Sequence, residues 1–470
     1  MSQVTHQTRL PDSEQDFCEA MGLLFGKIEK DLFKDLEREK NLNDLKKTYQ
    51  IKYQINARQF NSVRIILQGK IASRKECHQR QIQETELRIK ALQKKLKTDK
   101  EKLKKWHLSC GYSSATLTTS NQKLSKNKLR FSLHHKQRKL TSQQDRLTAL
   151  KKTKPSLVFG GKKLWYSQFN LEENGYATHE EWLTDWRETR ASNFTLVGSK
   201  DETNGNQNCQ LLPDGTLKIR VPSCYESVFG KYYLIKDVRF AYGQSDVEYA
   251  LNNKQALTFR FVKKEGKWYV FCSFELPETP TVSYRRNGML GIDLNPSVIG
   301  WSYCDGSGNL KAKGQIRINV SDKRKNQTTA IIGDAVKQLV DLASFYQCPI
   351  AVESLDFSRK KAAMKESGIR YSRMLSNFAY GCFFQRLNSR AFKLGIEVIS
   401  VNPAYSSLIG LTKFMSLYGL SSDTAAALVL ARRALRKSER IPTSYARLVQ
   451  VDSSRHEGEF LECARKETMW

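Results

Sequence analysis

Apolar positions recur at helical spacing from residue 13 to about residue 152. Pro11-Asp12-Ser13-Glu14 supplies a helix start, and Met21, Leu24, Phe25, Ile28 and Leu32 then fall on one face. Further along, Ile89, Leu92, Leu96, Leu103 and Trp106 keep a seven-residue pattern, with Asp99 at one position of the seam. After the turn-like "SCGYSS", Leu129, Leu133, Leu140 and Leu147 predict a returning helix, so an antiparallel helical hairpin is expected. The period changes at Pro155. "GTLKIRVP", "YYLIKDVRF", "QALTFRFV" and "KWYVFCSFEL" alternate at strand spacing, punctuated by "DGT", "NGNQN" and "KEGK". Short strands at such intervals predict a small barrel, with "KKEGKWYVFCSF" as a hairpin and Trp268 in its core. Residues 1–10 are a candidate further strand of that barrel.

A third pattern begins near Arg286. Strands are predicted at 288–294, 297–304 and 310–319, and a helix at 327–346. The apolar run Ile350-Ala351-Val352 follows and ends at Glu353. A helix at 372–394, the strand "IEVISV" and a last helix from 422 complete the order. Three meandering strands followed by alternating helix and strand is the plan of a ribonuclease H-like domain. The expected fold class is therefore multidomain α+β, in four parts. These are a helical, coiled-coil-bearing domain over 1–154, a small wedge-like β-barrel over 155–285, a ribonuclease H-like α/β domain over 286–440, and a flexible tail over 441–470.

Charge narrows the partners. Lys and Arg number 78 against 48 Asp and Glu, a formal +30, which calls for a polyanion: nucleic acid first, an anionic membrane second. "KALQKKLKTDKEKLKK" concentrates that charge on the hairpin, as a solvated face or a phosphate contact. No apolar run approaches the roughly 18 residues needed to span a bilayer, and the first residues lack a hydrophobic signal core. A cytoplasmic, nucleoid-associated protein with no membrane partner is expected. The ten cysteines include no C-x-x-C pair, which suits reduced thiols and leaves no four-ligand zinc site.

Within "GIDLNPSVIGW", residues 291–301, Asp293 interrupts an apolar strand. A half-buried carboxylate is costly unless paired, hydrogen-bonded or bound to metal, and a strand-end acid facing a lysine would also answer. Glu353 ends the fourth predicted strand, and Asp423 opens the last helix. In a ribonuclease H-like sheet the first and fourth strands are neighbours, so Asp293 and Glu353 can face one another. Clustered carboxylates repel unless a divalent cation holds them, and Mg²⁺ prefers such oxygen ligands. Two such ions about 4 Å apart can activate a water and stabilise the leaving oxygen of a phosphodiester. Asp423 has a simpler reading too: Ser421 or Ser422 can cap the helix, and an acid in its first turn gains about 0.3–1 kcal/mol from the helix dipole. The small face of Ala425, Ala426 and Ala427 lets that helix lie close to the sheet.

Residues 286–440 resemble the RuvC-type nuclease domain of TnpB proteins, the transposon-encoded relatives of type V CRISPR effectors. "GIDLNP", "AVESLDF", "VNPAYSS" and "SSDTAAALVLARR" carry the likeness, and "YQINARQFNSVR" and "VFGGKKLWYSQFN" extend it towards the N-terminus. The resemblance implies an RNA-guided DNA endonuclease from a transposable element, with guide RNA and target DNA as partners. It implies Asp293, Glu353 and Asp423 as catalytic residues and ligands of two Mg²⁺ ions, with Mn²⁺ able to substitute. Alternatives are an RNA-guided DNA-binding repressor with weak or no nuclease activity, or a metal-dependent nuclease that uses no RNA. Two departures stand out. Many members carry a four-cysteine zinc ribbon where residues 404–420 here contain no cysteine, so no zinc is expected. Ala425 occupies a position where the family often has Asn, which removes a support for the metal ligands. In "SRKKAAMKESGIRYSR", Arg370 and Arg373 are candidates for positioning a nucleic-acid strand, or members of a flexible charged loop.

Overall fold

Alternating hydrophobicity and helical periodicity lead to two separate cores. The computed structural model describes residues 2–38, 40–110, 120–202, 205–277, 279–295, 297–320, 323–354 and 380–439. The chain divides into two compact units, one of Met1–Glu86 with Arg138–Pro277 and the other of Leu87–Gln137 with Glu278–Trp470.

In the first unit, β1 (Ser2–Arg9) pairs antiparallel with β7 (Lys267–Leu276) along its whole length, from Ser2 opposite Leu276 to Arg9 opposite Tyr269. The candidate N-terminal strand is thus part of a sheet. With β2 (Asn193–Leu196) and β6 (Thr258–Lys264) it forms four strands in the order β1-β7-β6-β2. A second sheet holds β3 (Cys209–Leu211), β4 (Leu217–Arg220) and β5 (Tyr232–Ile235). The strands therefore lie in two sheets rather than one continuous ladder. Helices α1 (Gln15–Glu37) and α2 (Leu42–Tyr53) share their core: Phe17, Met21 and Ile28 are buried in one cluster with Tyr49, Phe194, Phe259 and Phe261. The helical and β segments, separate domains by sequence pattern, have one hydrophobic interior because neither alone covers its apolar face. Trp268 lies in that interior, 3% exposed.

The helical hairpin consists of α3 (Ala57–Cys110) and α4 (Ser120–Lys152). Ile89, Leu92 and Leu96 are buried, as is Leu140 on the returning arm. The seam acid Asp99 accepts a hydrogen bond from Lys136 across the hairpin, which offsets the cost of a carboxylate among leucines. The side chain of Trp106 and the turn from residue 111 lie outside the described residues. Four shorter helices decorate the first unit: α5 (Lys162–Ser167), α6 (His179–Ala191), α7 (Glu226–Phe229) and α8 (Gln244–Asn252).

The second unit contains the sheet that matters for function. Strands β8 (Met289–Leu294), β9 (Val298–Cys304) and β10 (Leu310–Arg317) form an antiparallel meander. Helix α9 (Lys325–Phe345) leads to β11 (Ile350–Glu353), which runs parallel to β8. Helix α10 (Tyr380–Lys393) leads to β12 (Val398–Val401), parallel to β11. The order is β10-β9-β8-β11-β12, the arrangement expected of a ribonuclease H-like sheet.

Period-2 alternation sorts the side chains of β8 between two faces. Leu290, Ile292 and Leu294 pack with Val336 and Leu339 of α9 and Phe383 and Leu387 of α10. Met289 instead joins a cluster with Leu428 and Val429 of the last helix, α13 (Ser422–Ala434). Residues 404–420 hold α11 (Ser406–Ile409), a π-helical turn (Gly410–Phe414) and α12 (Met415–Tyr418). Ile409 and Phe414 from this stretch complete the second cluster. No single helix is long and apolar enough to cross a membrane, among the described residues. Arg370, Arg373, the start of the helix predicted at 372–394 and the tail at 441–470 lie outside those residues.

Candidate active site

Strand register puts four positions in one row across the sheet. Asp293 on β8 stands opposite Gly300 on β9, and Gly300 stands opposite Gln315 on β10. On the other flank β11 pairs with β8 up to Val352 opposite Ile292, so Glu353 is the next step beside Asp293. Registered neighbours share a face, and this is the face that α13 covers.

The gap at Gly300 explains how Asp423 joins the row. A Cβ at Gly300 would lie 2.6 Å from the Cβ of Asp423, closer than atoms tolerate, so only glycine lets the first turn of α13 descend here. The helix is anchored in that position by polar contacts from the strands. Ser302 donates to the carbonyl of Thr424 at 2.7 Å, and Lys313 donates to the carbonyl of Gly419 at 2.6 Å. Ser421 is the N-cap, its side chain accepting from the amide of Thr424. Ala425, Ala426 and Ala427 are buried against the sheet, so the small face permits the close approach that the sequence suggested.

Asp293 and Asp423 meet through one amide. The Nδ2 of Asn295 donates to Oδ2 of Asp293 at 2.8 Å and to Oδ1 of Asp423 at 2.9 Å. The Nε2 of Gln315 donates to the other oxygen of Asp423 at 3.0 Å and to Ser421 at 3.1 Å. Both acids are half-buried. Two facing carboxylates need positive charge between them, and here amide hydrogens supply it in part. Among the described residues no group of three or more His, Cys, Asp or Glu gathers closely enough to hold a metal ion. The donor chemistry that is present, carboxylate oxygens with an amide whose oxygen could turn inward, suits a hard divalent cation such as Mg²⁺.

Asn295 and Gln315 escaped the sequence reading. Asn295 closes a tight turn, its N–H donating to the carbonyl of Val298 at 3.1 Å. Gln315 sits in a strand of alternating Lys and Arg and attracts no notice until its register with Gly300 is known. Their amides reach Asp423 from the sheet side. Position 425 cannot do so: Ala425 is fully buried against the turn at Gly410, where a Cβ would stand 2.9 Å from the backbone carbon of Ala425. The carboxamide support missing from the helix is therefore supplied by strand and turn.

No protein-family model matches the chain, and no curated protein matches it. Among solved structures it is similar to T. thermophilus RuvC in complex with a Holliday junction substrate, at 16% identity and a TM-score of 0.23, over 34% of this chain and 94% of that one. It is also similar to the Cas12f1-sgRNA-target DNA complex, at 10% identity and a TM-score of 0.23, over 52% of this chain and 67% of that one. A CRISPR-Cas12f ternary complex matches at 12% identity and a TM-score of 0.20, over 57% and 77%. The strand order β10-β9-β8-β11-β12, with α9 and α10 packed on one face and α13 on the other, is that of a ribonuclease H-like sheet.

Proposed function

We propose that this protein is an RNA-guided DNA endonuclease of the TnpB kind, hydrolysing phosphodiesters at Asp293, Asp423 and Glu353. The observation that carries the reading is the convergence of Asp293 and Asp423 on one amide, at the end of the strands where Glu353 also stands. The nucleic-acid partner follows from the formal charge of +30, and the guide and transposon origin follow from the resemblance of the sequence motifs.

Asp293 and Asp423 would hold Mg²⁺, with Glu353 adding charge from the adjoining strand. Bound there, the ion supplies charge neutralisation to the reacting phosphate oxygens. Asn295 and Gln315 fix the two carboxylates in orientation, and Gln315 does so without contributing charge. Ser421, by capping α13, holds the first turn in place so that Asp423 does not drift from the row. The segment 404–420 packs Ile409 and Phe414 beneath the same helix, serving as a support for α13.

The test is purification followed by sequencing of any RNA that survives nuclease treatment. The reading expects a discrete RNA whose replacement redirects cutting to a matching DNA. Equal cutting with and without RNA would leave only the RNA-independent nuclease. Binding of matched target with no cutting in Mg²⁺ or Mn²⁺ would leave the repressor.

A further inference from the structure

On the sheet face opposite α13, a groove of about 730 Å³ runs between α9 and α10. Four cations line it: Lys325 from the start of α9, and Arg386, Arg390 and Lys393 from α10. Among the described residues no carboxylate lines it. Arg390 also donates to Asp341 at 3.2 Å in a half-exposed pair. Four positive groups around one hollow repel each other, and a fold keeps such an arrangement stable most simply by placing an anion there.

Two details point to a ligand rather than to a chance cluster. The Nε of Arg390 is buried with no hydrogen-bond partner among the described residues, a donor without an acceptor. Gly333 lies in the interior of α9, where glycine costs about 1 kcal/mol relative to alanine. A Cβ at Gly333 would stand 3.3 Å from Nη1 of Arg386, so the missing methyl leaves room for the guanidinium along the floor.

The connections place the groove relative to the acids. Helices α9 and α10 each run into a parallel strand, β11 and β12, and so point against the strand direction. Their first turns therefore stand at the end of the sheet where β8 and β11 finish, which is where Asp293 and Glu353 sit. The chemistry of the lining selects the ligand. Thr328 and Ser389 add hydroxyl donors, and among the described residues no aromatic side chain in the lining offers a base a stacking surface. A hollow of about 730 Å³ is within the range of small-molecule sites and has room for a short stretch of one strand's backbone.

We infer that the α9–α10 groove holds the sugar–phosphate backbone of a single DNA strand passing to or from Asp293 and Asp423. The choice of DNA rests on the endonuclease reading; the groove itself does not. Labelled oligothymidine titrated into the full chain in EDTA, over a range of salt, reads the contact without any cutting. Arg386→Gln with Arg390→Gln should flatten the log–log salt slope by about 1.4, since each phosphate contact on a single strand contributes roughly 0.7. Lys325→Gln with Lys393→Gln, at the two ends of the groove, should flatten it comparably. Lys311→Gln with Lys337→Gln removes the same charge from exposed positions outside the groove and should leave the slope near that of the parent. Melting curves of all three proteins confirm that they are folded. Both groove pairs matching the Lys311 and Lys337 control would overturn the inference. So would loss of oligouridine binding with oligothymidine binding unchanged, which would assign the groove to RNA. Cleavage of guided DNA by the parent in Mg²⁺ is recorded separately, so that a failure of the nuclease reading is not taken for a failure of the groove.

Discussion

Replacing Asn295 by alanine isolates the contact on which the acidic site depends. The side chain makes two hydrogen bonds to charged acceptors, at 2.8 Å and 2.9 Å. Bonds of that kind contribute about 1.5–3 kcal/mol each when well enclosed, and less here because both carboxylates are half-exposed. The oxygens that share the amide stand within about 6 Å of each other, where two unit charges repel by roughly 3 kcal/mol at an effective dielectric of about 20. Water screening reduces that further. A net loss of roughly 2–3 kcal/mol in the presence of a chelator is expected, a large fraction of the stability of an ordinary domain. Saturating Mg²⁺ should recover much of it, because a cation between the carboxylates replaces the lost amide and stabilises the folded state by mass action. Urea unfolding of parent and Asn295→Ala, each with EDTA and with Mg²⁺, measures all four quantities. Parent-like stability of Asn295→Ala in EDTA, or a loss that Mg²⁺ leaves untouched, would show that the shared amide does not hold the two acids together.

Gly300→Ala should overpack the contact between β9 and α13, costing about 1–3 kcal/mol, and should push Asp423 away from Asn295. Urea unfolding and DNA cleavage both report on it, and a stable, fully active Gly300→Ala protein would contradict the close approach. Burial pushes the thiols of Cys272, Cys304 and Cys348 up to about 12, whereas an unfolded thiol titrates near about 8.5. Their folded pKa values being raised, the stability they contribute is fully present below about pH 8.5 and fades as pH rises towards 12. The urea midpoint should therefore fall between about pH 8 and pH 10, and less steeply in Cys348→Ala; a midpoint independent of pH would contradict it.

The periodicities of the chain made most of its elements legible. In the second unit the predicted strands at 288–294, 297–304 and 310–319 agree with β8, β9 and β10 to within two residues, because each is bounded by Gly, Pro or Asn turns. Sheet order followed from the alternation of helix and strand after β10. The first unit was harder to read. Its β1 pairs with β7 across 260 to 274 residues of sequence, and nothing local in "SQVTHQTR" announces that partner. Nor does periodicity tell whether two segments keep separate interiors, so the shared core of α1, α2 and the two sheets emerged only in three dimensions. At the acidic site, the charged residues were visible because an acid in an apolar strand is anomalous. Asn295 and Gln315 were invisible because a turn asparagine and an exposed strand glutamine are ordinary, and only register turns them into partners of Asp423.

Asp423 is the critical acid, because its position at a helix start also has a purely structural explanation. Asp423→Asn keeps the size of the side chain and its place beside Ser421 while removing its charge. The decisive measurement is the rate of guided DNA cleavage in Mg²⁺ by the RNA-loaded protein, with target binding and melting temperature recorded alongside. A rate lower by orders of magnitude is expected, with binding and folding retained. Cleavage by Asp423→Asn at the rate of the parent would contradict it and reduce Asp423 to an acid that stabilises the first turn of α13.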